Sequence, residues 1–421
     1  MTKQNLRLLF LFLICLSLGC TKSSDSATSV KGEEPEWIEA SPSATAVRNF
    51  LVDKNATDEV AALFYNLKAY AQNGVMIGQQ DAFINRYSEQ SNVFSDKSDI
   101  KLTTGQDPIV VGSDLIFATN YHNDGTSTSG WWYEQELLLK KQIKESYKRG
   151  LVVTICWHMN EPYHGDAFYV SEMDKVDPTL KNRAFVSILE GNENHEYYKK
   201  KLDKVAQILS STTDDSGKPI PVILRLFHEF DGSWFWWGIP HYATPAQFIK
   251  NWQFTVKYLR DQKGLHNILY AFSPGDTFTS ESAYTTCYPG DDYVDVVGFD
   301  NYEDYGAKGA AGVANVSSKL KIISDFAIAH KKVAALTEFG YSSANKSVSK
   351  LYTSYMLPAF TQSNAKIAYA MYWYNNQTSY YTATPYNPEP AKDFVDFASS
   401  PYIFLSGDTR NLYRFPSSIN N

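Results

Sequence analysis

The chain has 421 residues, of which 43% are hydrophobic, and its formal net charge at pH 7 is −7. This length suits two average domains or one large barrel, and the apolar fraction is sufficient for a sizeable core. Lysine and arginine form no concentrated face, so we expect no nucleic-acid partner. Aromatic residues make up a high 15% of the chain, and many of them follow apolar segments instead of lying within them.

Residues 1–20 have the pattern of a bacterial export signal. A basic start precedes an apolar run, Leu8–Leu18, that is too short to span a membrane permanently. Residues 16–20 resemble a lipobox, although Ser17 stands where leucine is usual and Leu18 where a small residue is usual. We therefore expect a lipoprotein signal peptide over residues 1–20, with Cys20 lipidated. An ordinary signal peptide, or cleavage at another position, is the alternative.

A polar segment, residues 21–36, follows Cys20 and has the composition of a flexible tether. Acyl chains on Cys20 would hold the protein to a membrane, which predicts a lipid-anchored location in the cell envelope, in the outer membrane on its surface or periplasmic face. Residues 37–421 contain no low-complexity linker, and we expect them to form one catalytic domain that acts as a monomer. Besides Cys20, the chain after the predicted signal peptide has only Cys156 and Cys287, which indicate neither a disulfide framework nor a metal cluster.

A repeated order of strand, loop and helix follows a first amphipathic helix, Asp58–Tyr70. Eight short apolar runs predict strands, and long helical patterns lie between many of them. The predicted strands are Val75–Gln79, Ile109–Gly112, Leu151–Trp157, Val222–Phe227, Ile268–Phe272, Val294–Phe299, Val333–Thr337 and Ile367–Trp373. The clearest helices are Trp131–Arg149, Glu196–Leu209, Pro245–Arg260, Val316–His330 and Val348–Thr361.

Eight such repeats predict an α/β protein with a closed (β/α)8 TIM barrel. An open doubly wound sheet is the alternative, but no glycine-rich phosphate turn follows the first strand. Catalytic residues of such barrels lie at the C-terminal ends of the strands, and polar, ionisable or aromatic residues follow every predicted strand here. Glu229 and Glu338 directly follow predicted strands four and seven, on opposite sides of the barrel mouth, so their side chains can converge.

The stretch Pro221–Gly238 combines an apolar strand with Glu229 and a run of aromatic residues. Apolar neighbours raise the pKa of a carboxyl, which suits Glu229 to a protonated role. Glu338, with Tyr302 and Arg225 in reach, suits the ionised role. A retaining glycosidase needs two such carboxyls about 5–5.5 Å apart. Taken alone, the stretch also fits a structural His–Glu pair and core tryptophans, and the second glutamate favours the catalytic interpretation.

Three further expectations concern neighbours of these glutamates. Arg225 lies inside strand four, and an unpaired buried cation is costly, so it should pair with a carboxylate. Because Trp236 and Trp237 are adjacent, one should be buried and the other exposed, with Trp234 the better candidate for a sugar contact. Asp231 is interpreted as a turn residue.

These motifs resemble those of glycoside hydrolase family 26, whose best-known members are endo-β-1,4-mannanases. The resemblance covers roughly Gly74–Trp373. The matching residues are Trp157-His158, Arg225-Leu226-Phe227-His228-Glu229, Gly232, Trp234, Trp236, Trp237, Gly238, Asp300-Asn301-Tyr302, Thr337-Glu338-Phe339-Gly340 and Tyr372-Trp373.

The resemblance implies that Glu229 is the acid/base and Glu338 the nucleophile. It implies that His228 helps to set the site and that Tyr302 touches the nucleophile. For Asp300, a hydroxyl contact and a turn-capping role remain open. The residues expected to bind substrate are His158, His228, Trp234, Asp300, Tyr302 and Trp373.

The resemblance thus predicts a retaining, endo-acting hydrolase of β-1,4-mannosidic linkages in mannan, glucomannan or galactomannan. Two carboxyls suffice for this chemistry, so no metal or organic cofactor is expected. The same machinery acting on xylan or mixed-linkage β-glucan is the alternative, and a non-hydrolytic glycan-binding lipoprotein is the alternative from another class. His158 and His164 match no metal-binding spacing, which argues against a metal hydrolase. The segment Tyr163–Asn194 should bear on endo versus exo action.

Overall fold

The computed structural model describes residues 43–125, 128–165, 167–305, 308–345 and 348–416. The predicted signal peptide with Cys20 and the predicted tether lie outside these ranges. The strands are β1 (Val75–Gln80), β2 (Val110–Asp114), β3 (Val152–Cys156), β4 (Val222–Arg225), β5 (Ile268–Phe272), β6 (Val296–Asn301), β7 (Val333–Phe339), β8 (Tyr369–Tyr372) and β9 (Ile403–Phe404). The helices are α1 (Ala44–Arg48), α2 (Asp58–Tyr70), α3 (Asp99–Thr104), α4 (Trp131–Lys148), α5 (Val170–Val176), α6 (Lys181–Ser187), α7 (His195–Ser211), α8 (Pro245–Lys257), α9 (Glu281–Tyr284), α10 (Gly309–Ala329), α11 (Leu357–Gln362) and α12 (Pro388–Ala398).

The first eight strands form a closed parallel barrel. Each strand from β1 to β7 pairs with the next in the chain, and β8 pairs with β1 to close the ring. The short β9 adds to β1 in parallel through Val75 and Ile403. This topology confirms the predicted (β/α)8 barrel. None of the described helices is long and apolar enough to cross a membrane.

Helix α2 packs against the first residues of the barrel strands. Its N-terminus is capped by Thr57, whose hydroxyl accepts a hydrogen bond from the backbone N–H of Val60, and Asp58 and Glu59 occupy the first turn. Apolar side chains of α2 form one buried cluster with early strand residues such as Val152 and Val296. The N-terminal end of the barrel is therefore filled, and the C-terminal end carries the loops that can form a site.

Two strands extend further than their apolar runs predict. Strand β6 continues through Asp300 and Asn301, and β7 continues through Glu338. The register between β6 and β7 shifts between Phe299 and Asp300, and the register between β7 and β8 shifts after Leu336. Such irregularities turn side chains out of the regular alternation and are frequent beside active sites. Asp300 and Glu338 thus lie within strands, at irregular positions.

The helix boundaries also differ from the sequence-based ones. Helix α8 ends at Lys257 and continues as one π-helical turn, Tyr258–Gln262. A second π-helical turn, Tyr352–Met356, precedes α11 where one continuous helix was expected. Helix α10 begins earlier than predicted, at Gly309. Gly312 in this added part packs closely against the preceding loop, where an added Cβ would lie 1.7 Å from the carbonyl oxygen of Asp304. The segment between β3 and α7, expected to be a loop, contains α5 and α6.

Candidate active site

Glu229 follows β4 on a turn with an unusual backbone conformation. Phe227 and Glu229 have φ angles of 44° and 52°, in the left-handed region, which is costly for residues with a Cβ. Neighbouring groups hold this turn: the Glu229 N–H donates to the carbonyl of Ser273 at 2.9 Å, and the indole of Trp237 donates to the carbonyl of His228 at 2.8 Å. The position of Glu229 is therefore fixed by the loops after β4 and β5.

Glu338 lies among hydrogen-bond donors and is only 3% exposed. The Nη2 atom of Arg225 donates to its Oε1, and the hydroxyl of Tyr302 donates to its Oε2 at 2.8 Å. Burial, and then the charge of Glu229, raises the pKa of Tyr302 well above its ordinary value, so the phenol keeps the proton that it donates. A carboxylate that accepts two such bonds is stabilised in its ionised form.

Arg225 lies on β4 and is fully buried. Besides Glu338, its guanidinium contacts Asp300, with Nη1 2.6 Å from Oδ2. The other oxygen of Asp300 accepts a hydrogen bond from the hydroxyl of Thr337 at 2.7 Å. The expectation that Arg225 pairs with a carboxylate is confirmed. Asp300 is the second counter-ion of Arg225, with both oxygens engaged beneath the glutamates, and a direct sugar contact by Asp300 stays a prediction.

The carboxyl groups of Glu229, Asp300 and Glu338 converge. One oxygen of each lies within 4.8 Å of the other two. Three carboxyls this close could ligate a cation, but Arg225 already supplies a positive charge to two of them. The pair Glu229 and Glu338 is thus close enough for both to act on one sugar linkage, as strands four and seven led us to expect.

Glu229 differs from Glu338 in its surroundings. Burial, and then repulsion from Asp300, raises the pKa of Glu229 to about 8. The indole N–H of Trp234 donates to Oε2 of Glu229 at 2.7 Å and opposes this shift. Near neutral pH Glu229 therefore favours the protonated form, while Arg225 keeps Glu338 in an ionic contact. Two neighbouring carboxyls with divergent protonation are the pattern of an acid paired with a nucleophile.

A chain of polar contacts crosses the barrel mouth from β2 to β4. Oδ2 of Asp114 lies 2.5 Å from Nδ1 of His158, and the Nε2 atoms of His158 and His228 lie 3.1 Å apart. Burial, followed by the charges of His158 and Arg225, holds the pKa of His228 well below its ordinary value, so its ring is neutral. Asp114 follows the predicted strand Ile109–Gly112, but its pairing with His158 depends on tertiary contacts that sequence spacing does not give.

Asp114, Cys156 and His158 also have ligand atoms within 4.8 Å of one another. Burial raises the pKa of the Cys156 thiol well above its ordinary value, which makes it a poor metal ligand because the thiolate is the ligating form. Asp114 is already bound to the ring of His158. These three residues therefore fit a hydrogen-bonded support for His158 better than a metal centre.

Of the three tryptophans shortly after Glu229, Trp234 is exposed and the other two are buried. Trp234 is 41% exposed and its indole N–H donates to Glu229, and the sugar contact expected of it stays a prediction. Trp236 and Trp237 are both fully buried, so the expectation that one of them would be exposed is wrong. Their rings do diverge, at 82°, and each indole N–H reaches a backbone carbonyl, Trp236 that of Met159 and Trp237 that of His228. Both can therefore be buried without an unpaired donor.

The start of the segment between β3 and α7 contacts the loop that carries Trp234. The backbone N–H of Val170 donates to the carbonyl of Trp234 at 2.8 Å, and Tyr169 pairs with Phe235 as an isolated antiparallel bridge. Tyr169 is 39% exposed, and its partial burial, followed by the charge of Glu229, raises the pKa of its phenol. Sequence reasoning identified this segment but not Tyr169, whose place beside Glu229 depends on the bridge.

The remaining predicted substrate contacts also lie at this end of the barrel. Trp373 follows β8 and is partly exposed, with its ring centroid 6.1 Å from that of His158. Tyr302 contacts Glu338 and packs against the ring of Tyr381, which the sequence analysis did not single out, at 5.9 Å. The structure thus brings Trp373 to His158 and Tyr302 to Glu338, and their contacts with sugar stay predictions.

Comparison with known proteins identifies the family. The family model described as glycosyl hydrolase family 26 matches residues 52–387. A protein from Bifidobacterium adolescentis named mannan endo-1,4-beta-mannosidase is 33% identical over 336 residues, which cover 77% of this chain and 32% of that relative. This chain therefore spans about a third of the length of that curated relative.

Solved structures agree with this match. A GH26C structure from Muricauda is 43% identical, with a TM-score of 0.85, and the match covers 90% of this chain and 99% of that one. A GH26 beta-mannanase from Bacteroides ovatus is 31% identical, with a TM-score of 0.74, over 87% of this chain and 100% of that one. Because the family match takes in every strand of the eight-stranded barrel and both converging glutamates, the chain belongs to glycosyl hydrolase family 26.

Proposed function

We propose that this chain is a retaining, endo-acting β-1,4-mannanase with Glu229 as acid/base and Glu338 as nucleophile. The observation that carries the proposal is the pair of converging carboxyls, one favouring the protonated form and the other held by Arg225 and Tyr302. Relatives from Bifidobacterium adolescentis and Bacillus subtilis are named mannan endo-1,4-beta-mannosidases, which supports mannan as the substrate. Mannan, glucomannan and galactomannan are the proposed polymers.

In the first step, an oxygen of Glu338 attacks the anomeric carbon of the sugar at the cleaved linkage. The bond from that carbon to the glycosidic oxygen breaks, and Glu229 gives its proton to the departing oxygen. The product is an ester between the sugar and Glu338. Arg225 and Tyr302 orient the attacking carboxylate, because each holds one of its oxygens.

In the second step, water attacks the same anomeric carbon. Glu229, now ionised, takes the proton of the water, and the ester bond breaks with its electron pair returning to Glu338. Two inversions at one carbon give net retention. We assign to the exposed ring of Trp234 a contact with the sugar, while its N–H, hydrogen-bonded to Glu229, holds the acid/base in position.

Anion rescue distinguishes the two glutamate roles. In Glu338→Ala, turnover of an aryl β-mannobioside should fall at least about 10³-fold. Azide should restore it through one inversion and give an α-glycosyl azide. In Glu229→Ala, an activated aryl group leaves without an acid, so azide should intercept the ester and give the β-glycosyl azide. The anomeric configuration of each azide is read by NMR.

The control variant for this experiment is Glu190→Gln, an exposed glutamate on the segment before α7. It should keep wild-type turnover and show no response to azide. If each variant gave the azide of the opposite anomeric configuration, Glu229 would be the nucleophile and Glu338 the acid/base. Full activity of Glu338→Ala without azide would contradict the two-glutamate mechanism.

The raised pKa of Glu229 predicts the alkaline side of the pH profile. Because Glu229 must carry a proton to start the reaction, kcat/KM for mannohexaose should be sustained below the pKa and lost as the pH rises through about 8. In Trp234→Phe the N–H that stabilises the ionised form is lost, so the alkaline limb should move to higher pH. A limb that stays in place in Trp234→Phe would contradict this role for the indole.

We also propose that the protein is anchored in the cell envelope by lipid on Cys20, which lies outside the described residues. The basic and apolar start, the lipobox-like residues 16–20 and the polar tether support this location. The full chain expressed in a bacterium should enter the detergent phase of a Triton X-114 separation, and Cys20→Ala should remain in the aqueous phase. Equal partition of both proteins would contradict lipid anchoring.

A further inference from the structure

Loops that follow β1 and β8 bring together three tyrosine rings that take no part in the proposed mechanism. Tyr87 comes from the first loop, and Tyr380 and Tyr386 come from the second. The rings of Tyr87 and Tyr380 pack edge to face at 5.1 Å, and those of Tyr87 and Tyr386 lie 6.2 Å apart. Tyr386 is 57% exposed, a large fraction for an aromatic side chain. We call these three residues the tyrosine shelf.

A buried polar network fixes the two loops relative to each other. Oδ2 of Asp99, which is 1% exposed, accepts hydrogen bonds from the backbone N–H of Tyr87 at 2.8 Å and from the side chain of Asn375 at 2.7 Å. The oxygen of Asn375 in turn accepts from the N–H groups of Tyr381 and Thr382, at 2.8 and 3.1 Å. A surface held in this way needs little ordering when a ligand binds, which favours affinity.

The tyrosine shelf is connected to the catalytic centre through its neighbours in the chain. Tyr380 exchanges two hydrogen bonds of 2.8 Å with Ser343 in the loop after β7. The next residue, Tyr381, packs against Tyr302, whose hydroxyl holds Glu338. The shelf therefore borders the cleft on the side of Glu338.

We propose that the tyrosine shelf is a distal sugar subsite, in which Tyr386 stacks on a pyranose ring of the mannan chain beyond the rings at the cleaved bond. An exposed aromatic face suits the C–H face of a pyranose, and the phenolic hydroxyls suit its polar edge. Tyr87 supports Tyr386 from the neighbouring loop. This inference rests on the proposed mannanase function, because it takes the polymer held at Glu229 and Glu338 as its ligand.

Chain-length dependence of the kinetics tests the subsite. With mannohexaose, Tyr386→Ala should raise KM about three- to tenfold with kcat unchanged, because one stacking contact is lost. With mannotriose, which is too short to fill the cleft and the shelf together, kcat/KM should stay at the wild-type value. Tyr386→Phe keeps the ring and should restore the wild-type KM for mannohexaose.

The matched control is Ile328→Ala, which removes an equally exposed apolar side chain, 56% exposed, beside Val333 at the opposite end of the barrel. Ile328→Ala should change neither the KM for mannohexaose nor the kcat/KM for mannotriose. If Tyr386→Ala lost kcat/KM equally on mannohexaose and mannotriose, or lost it on neither, the subsite would be overturned. Either result would leave the mannanase proposal intact. Wild-type protein that neither cleaves mannohexaose nor binds it by calorimetry would overturn the proposed function and the subsite with it.

Discussion

The buried guanidinium of Arg225 is the contact on which the catalytic end of the barrel depends. A cation inside a barrel is tolerated only when carboxylates compensate its charge, and removing one partner from such a group is far costlier than replacing the whole group. Glu338 and Asp300 provide that compensation, and Thr337 completes the hydrogen bonding of Asp300. The position of Glu338 is thus set by charge balance in the core as well as by the end of β7.

The same arrangement separates the two glutamates electrostatically. Arg225 contacts Glu338 and Asp300 directly, while Glu229 lies above β4 with the negative charge of Asp300 nearby and aromatic side chains around it. Burial and the nearby charge of Asp300 raise the pKa of Glu229, whereas Glu338 is held by an ion pair with Arg225 and a hydrogen bond from Tyr302. The chemistry proposed for the site follows from this difference between two residues of the same type.

Much of this could be predicted from the sequence, because barrel geometry converts strand order into position. Eight apolar runs gave the barrel, and the placement of Glu229 and Glu338 after strands four and seven gave their convergence. The pairing of Arg225 followed from the cost of a lone buried charge. These inferences rest on rules that hold wherever such strands close into a ring.

Features that depend on partners distant in sequence could not be predicted in this way. Trp236 and Trp237 are both buried because backbone carbonyls of Met159 and His228 accept their indole protons, and spacing alone does not place those carbonyls. The irregular register at Asp300 depends on β7, and the support of His158 by Asp114 depends on the pairing of neighbouring strands. Local pattern locates the elements, whereas tertiary contacts decide which side chains they expose.

We propose that Glu229 and Glu338 cleave β-1,4-mannan within the polymer chain. The measurement that tests this is the product profile of purified protein lacking residues 1–20 on mannan, xylan and mixed-linkage β-glucan. We expect manno-oligosaccharides of several sizes from mannan early in the reaction, with xylan and β-glucan intact. Products from xylan or β-glucan alone would contradict the substrate, and no product from any of the three would contradict the enzymatic assignment.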